Sequence, residues 1–271
     1  MSTDKYAPGM MVMGVDEFDD LFFITQCFLE IKNRNKVPDL GNKILSQLQK
    51  IAYTGHRLWY SGRYGFIGTL AIRIIVEEWK EHPAILDWIK DFILSNAESG
   101  LRSVAIIEFV KTWKDDSEIL LILKKYARLD SDWILQRIAL IELARGWKED
   151  SETLPCLQKY AKSDACKYSV RSELLEEIAK VWTDEPWLFN FLFDRAVNDP
   201  FERPHLLNLK EDLGLNPRVT ALKALLTHYY NYPKTLELLR DRATNDPDEQ
   251  LREWAQEQLK MQNGKLKEEE A

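Results

Sequence analysis

The stretch Arg137-Ile138-Ala139-Leu140-Ile141-Glu142-Leu143-Ala144-Arg145-Gly146-Trp147-Lys148-Glu149-Asp150-Ser151-Glu152 follows, at a distance of 34 residues, the stretch Ser103-Val104-Ala105-Ile106-Ile107-Glu108-Phe109-Val110-Lys111-Thr112-Trp113-Lys114-Asp115-Asp116-Ser117-Glu118. Laid over one another without gaps, they share an Ala, an Ile, a Glu, a Trp, a Lys, an Asp, a Ser and a Glu. A block recurring at this length reads as two helices that cannot bury their apolar faces alone, so neighbouring units must stack into one continuous core. The second helix of each unit is expected over Ser117 to Arg128 and over Ser151 to Lys162. Each is opened by its serine, with an acidic first turn that complements the helix N-terminus. The predicted fold class is all-α, a right-handed α-solenoid.

Working outward, Trp79, Trp113, Trp147 and Trp182 stand 34, 34 and 35 residues apart, and Asp130, Asp164 and Asp199 keep the same spacing. Asp246 resumes it only after 47 residues, which marks an insertion. The expected organisation is a flexible arm at 1–14, a helical capping region at 15–62, a repeat array of HEAT-like units at 63–260 with a loop insertion at 200–217, and a disordered charged tail at 261–271. Within the cap, Asp16 to Lys32 has helical apolar spacing, and a second helix is expected near Leu40 to Tyr53. Ile67 to Glu78 reads as the first repeat-like helix. Leu251 to Met261 reads as the last, stopped by Asn263-Gly264.

Composition narrows the class further. The chain has 271 residues, 45% of them apolar and 30% charged, and a formal net charge of −7. A protein that grips nucleic acid draws most of its affinity from a basic stripe against phosphates, so the acidic balance argues against that partner. Arg57, Arg63 and Arg73 among Trp59, Tyr60, Tyr64 and Phe66 allow a local exception, by stacking bases, or else form an aromatic capping pair with snorkelling arginines. No apolar run approaches the roughly 18 residues that span a bilayer. The first residues lack a signal-peptide pattern, so a cytoplasmic, monomeric protein is expected. Three cysteines, Cys27, Cys156 and Cys166, show no CxxC spacing and are expected as reduced, buried structural thiols.

Three stretches resemble a known family. They are the block Ala139 to Pro155, the entry Phe22 to Arg34, and the segment Asn216 to Leu222 continued through Asp241 to Asp248; together the likeness covers most of residues 15–260. The array resembles the C-terminal HEAT repeats of bacterial, especially cyanobacterial, NACHT-type STAND nucleoside triphosphatases. The family's ATPase module has no counterpart here, because no GxxxxGK[ST] phosphate cradle occurs. The resemblance implies sensing or partner binding. The expected partner is a protein, either a separate or fused NACHT ATPase or a sensed protein ligand.

The helices that begin at the Arg-x-x-Ala element are expected to line a concave face. On them Arg102, Glu108, Lys111, Gln136, Glu142, Arg145, Ser172, Glu176, Lys180, Lys223 and Thr227 are the candidate partner-binding residues, read alternatively as a solvated charged face. The tryptophans are expected to pack at turns, since packing must be solved again in each repeat. Asp164 with Arg171, and Asp246 with Arg252, are expected to form an inter-repeat ladder of charge-assisted hydrogen bonds. No cofactor and no metal are expected: His56, His82, His205 and His228 do not cluster, and no cysteine stands near them at zinc spacing. No GxSxG nucleophile motif appears. A non-enzymatic scaffold is thus the first reading. A HEAT-like DNA glycosylase using Trp133 and Glu142, or another nucleic-acid-binding solenoid, is a second. A phycobilin lyase-like chaperone is a third.

Overall fold

The computed structural model describes residues 15–54, 65–128, 132–204 and 215–269. The expected arm at 1–14, most of the arginine–aromatic cluster around Trp59, Asp130, His56, His205 and the middle of the insertion lie outside the described residues. Those residues are all-helical and divide into two compact units, 1–108 and 109–271.

The first unit holds α1 (Val15–Leu29), a short 3-10 turn (Arg34–Lys36), α2 (Pro38–Thr54), α3 (Gly65–Trp79), α4 (Pro83–Leu94) and most of α5 (Ser99–Thr112). Helix α2 packs on α1 and α3, and α3 on α4. Their apolar faces meet through Phe28, Leu48, Ile51, Ile72, Ile75, Ile89 and Phe92, all buried. Phe28 lies parallel to Trp79, with ring centroids 6.0 Å apart. Gly41 permits that arrangement, because a Cβ there would stand 2.9 Å from the Phe28 ring.

The second unit continues with α6 (Ser117–Ala127), α7 (Trp133–Gly146), α8 (Thr153–Lys162), α9 (Tyr168–Val181), α10 (Leu188–Asn198), α11 (Pro217–His228), α12 (Pro233–Asn245) and α13 (Glu249–Glu269). Helix α7 packs on α6, α8 and α9, and α9 packs on α8, α10 and α11. These helices therefore bury apolar residues on more than one side: Leu135, Ala139, Leu140, Ile141, Leu143 and Ala144 on α7. Helix α8 has a narrower stripe, Leu157, Tyr160 and Ala161, as an outer amphipathic helix should.

One turn recurs through the chain and explains the tryptophan spacing. The carbonyl of Trp79 accepts the N–H of His82 at 2.8 Å, that of Trp113 the N–H of Asp116 at 2.9 Å, that of Trp147 the N–H of Asp150 at 3.1 Å, and that of Trp182 the N–H of Glu185 at 3.1 Å. Tyr229 makes the same bond to Tyr232, at 3.1 Å, and stands where a fifth tryptophan would. Each aromatic ends one helix and opens a four-residue turn to the next.

Some expectations are corrected. Helix α6 is capped by Asp116, whose carboxylate accepts the Glu118 N–H at 2.9 Å, and Ser117 is already its first residue. Helix α8 starts at Thr153, two residues late, because Asp150 accepts the Glu152 N–H and the Thr153 hydroxyl and holds that stretch as a turn. The last helix does not stop at Asn263-Gly264 but runs to Glu269. The Lys, Leu and Glu residues beyond are good helix formers, and one interior glycine costs only about 1 kcal/mol.

Candidate functional site

Counting back from the closing aromatic sorts the sequence-predicted residues into three registers. Two residues before it stand Lys111, Arg145, Lys180 and Thr227, all exposed. Five before it stand Glu108, Glu142 and Glu177, buried or half-buried. Eleven before it stand Arg102, Gln136, Arg171 and Arg218, of which only Arg102 keeps partial exposure. Glu176 and Lys223 are exposed as expected, whereas Glu108, Gln136 and Ser172 are buried and offer no free surface.

The innermost register is structural. Arg102 donates to the Ser95 carbonyl at 3.1 Å, and Gln136 to the Ala127 carbonyl at 3.4 Å, so both reach the end of the preceding helix. Arg171 donates to the Cys166 carbonyl at 2.5 Å and grips Asp199 through two bonds of 2.9 and 2.8 Å. Arg218 repeats this, donating to the Asp199 and Phe201 carbonyls at 2.9 Å and to Asp246 at 3.1 and 2.9 Å. The ladder is therefore Arg171–Asp199 and Arg218–Asp246. The expected partners differ: Asp164 is exposed, and Arg252 donates to the backbone carbonyl of Asp246 at 2.6 Å, not to its carboxylate. An arginine reaches forward past one outer helix to the aspartate that closes it. Nearby, Arg203 and Asn216 both bind Asp248, and Ser172 donates to the Leu215 carbonyl at 3.0 Å, so both ends of the insertion are pinned.

The middle and outer registers form one charged network on α7 and α9. Arg145 donates to both Glu177 oxygens, at 3.0 and 2.8 Å, and lies 3.7 Å from Glu142. Lys180 bonds Glu176 at 2.7 Å and stands 3.6 Å from Glu177. Arg137 chelates Glu173 at 2.9 and 2.7 Å. Burial pushes the Glu142 carboxyl above its ordinary value; Arg145 opposes this and Glu177 adds to it. The hydrogen bonds from Arg145 draw Glu177 the other way, below its ordinary value.

These shifts have opposite consequences for stability. Glu142 holds its proton to higher pH in the fold than in the unfolded chain, so it contributes stability only as pH falls through its raised folded value. Glu177 contributes stability above 4.5, lost as pH falls through its lowered folded value. Glu142→Gln is therefore expected to melt at or above the wild-type temperature at pH 7, and the difference to shrink at pH 5. Glu177→Gln is expected to melt lower at pH 7. Thermal melts of both variants at the two pH values check this.

The tryptophans divide. Trp182 is buried, at 3% exposure, whereas Trp79, Trp113 and Trp147 are half-buried, and Lys114 stands 5.9 Å over the Trp147 ring. Cys27 is exposed, not buried as expected; Cys156 is half-buried. Cys166 is buried, and that burial pushes its thiol up to about 11. His82 caps α4, its Nδ1 accepting the Ala84 N–H at 3.3 Å. Among the described residues no cluster of His, Cys, Asp or Glu could hold a metal ion, and no helix is long and apolar enough to cross a membrane.

The sequence reading missed Glu177, Arg137, Glu173, Asp199 and Arg218 as working residues. Glu177 was findable, since it stands five before Trp182 as Glu142 stands five before Trp147. Comparison with known protein families, with curated proteins and with solved structures found no match.

Proposed function

We propose that this protein is a non-catalytic scaffold, a HEAT-like α-solenoid that holds a protein segment along the helices carrying Lys111, Arg145, Lys180 and Thr227. The observation that supports this reading is the outer register: four residues at one place in successive repeats, all exposed. Acidic groups lie directly behind them, Glu142 and Glu177 at Arg145 and Glu176 at Lys180. A phosphate backbone would meet those carboxylates, whereas a protein segment of mixed charge can pair with both signs. The likeness to the HEAT repeats of NACHT-type switch proteins supports a sensing role, with an ATPase chain or a sensed protein as the partner.

The test must spare Arg145, because reversing its charge would leave Glu177 buried among carboxylates and damage the fold. Lys111→Ala with Lys180→Ala is the suitable variant, since exposed substitutions change stability by only about 0.5 kcal/mol. Used as bait in extracts of the native host beside the wild type, it is expected to retain its melting temperature and lose about nine-tenths of the captured partner. Equal capture by both baits, or tight, salt-sensitive binding of DNA or RNA by the wild type, would overturn the proposal.

A further inference from the structure

A cavity of about 880 Å³ opens between the start of α7, the exposed side of α8 and the loop that enters α9. That is the size of a small-molecule pocket, which typically spans about 300–1,000 Å³. Its wall carries Trp133, 42% exposed although it is the first residue of a well-packed helix. The Lys167 ammonium sits 3.9 Å from the centroid of that indole.

The charge of the cavity runs against that of the chain. Among the described residues Arg128, Lys159 and Lys167 line it, against one carboxylate, Glu152. That carboxylate is already engaged, at 3.1 Å by Arg128 and at 3.2 Å by Lys124. In a protein of net charge −7 this is a local cationic basin, and Pro155, Tyr160 and Val170 add apolar surface to its lining.

We infer that this cavity is a binding site for a small planar aromatic anion, its ring against Trp133 and its carboxylate or phosphate held by Lys167 and Lys159. Two features select that class together. An exposed indole favours a flat ring, since aromatic stacking is sequence-tolerant but needs a π face. A surplus of ammonium and guanidinium groups favours an acidic substituent on that ring over a neutral one. The site uses none of the outer-register residues, so it stands or falls separately from the scaffold reading.

Titration calorimetry on the full chain tests it with 1-naphthoate and 1-naphthyl phosphate, each beside its uncharged counterpart, 1-naphthamide and 1-naphthol. At least one anion is expected to bind about tenfold more tightly than its counterpart. Trp133→Ala and Lys167→Ala are each expected to weaken that anion by about tenfold, with the melting temperature retained because both residues are exposed. Preference for naphthoate assigns an aryl carboxylate, and preference for naphthyl phosphate an aryl phosphate. No anion binding, binding as tight by the neutral compounds, or binding unchanged in Lys167→Ala would overturn the inference.

Discussion

Replacing Arg218 with methionine is expected to destabilise the protein by about 3–5 kcal/mol, the cost of removing one partner of a buried ion pair, since Arg242 comes only to 3.5 Å of the Asp246 carboxylate that remains. Asp246 has no exposed side-chain surface and Arg218 only 4%, so water cannot replace the lost guanidinium. The carbonyls of Asp199 and Phe201 would lose their donor in the same change. Arg171→Met should behave alike, since Asp199 is equally buried. Removing the charge from both sides, as in Arg171→Met with Asp199→Asn, should recover much of the loss, because the pair itself bears a large desolvation cost. Urea unfolding of the four proteins in that cycle gives the coupling directly. A loss below about 1 kcal/mol in either single variant would show that the ladder is not what holds these helices together.

Trp182→Ala is expected to cost a comparable amount, about 3–5 kcal/mol, through the cavity left by a buried indole. The same change at Trp147 should cost clearly less, since that ring is half-buried under Lys114 and water can fill part of the space. Thermal melting of the two variants side by side decides the matter. Equal losses would mean that the aromatic turn, common to both, matters more than burial of the ring.

The helical class and the element order were legible because apolar periodicity and recurring tryptophans are local signals. The exposure of the candidate partner-binding residues was legible in part. Lys111, Arg145, Lys180 and Thr227 are exposed, and each stands two residues before the aromatic. The buried registers were harder to read. A constant offset of 34 carries Glu142 onto Glu176, whereas the unit ending at Trp182 is one residue longer and the equivalent carboxylate is Glu177. On a helix one residue is a rotation of about 100°, enough to exchange an exposed side chain for a buried one. The ladder misled for a related reason. Asp164 and Arg171 are neighbours in sequence, but the partner that Arg171 reaches lies beyond the whole of α10, and no local spacing announces a pairing across 28 residues.

The same pairing sets where a unit can be excised or duplicated. Helix α7 carries Gln136, and the residue closing α8 is Ser163, uncharged on both sides, whereas α9 and α11 carry arginines answered by Asp199 and Asp246. Deleting α9 with α10 leaves every first-helix residue facing a chemically matched closing residue. Deleting α8 with α9, a cut of the same length made at the tryptophan turns, places Gln136 opposite Asp199 and strands a buried carboxylate with no cation. An excision that keeps these pairs therefore begins at the loop before α9, whereas the cut from the Trp147 turn to the Trp182 turn should destabilise the protein by about 3–5 kcal/mol, the cost of one broken buried pair.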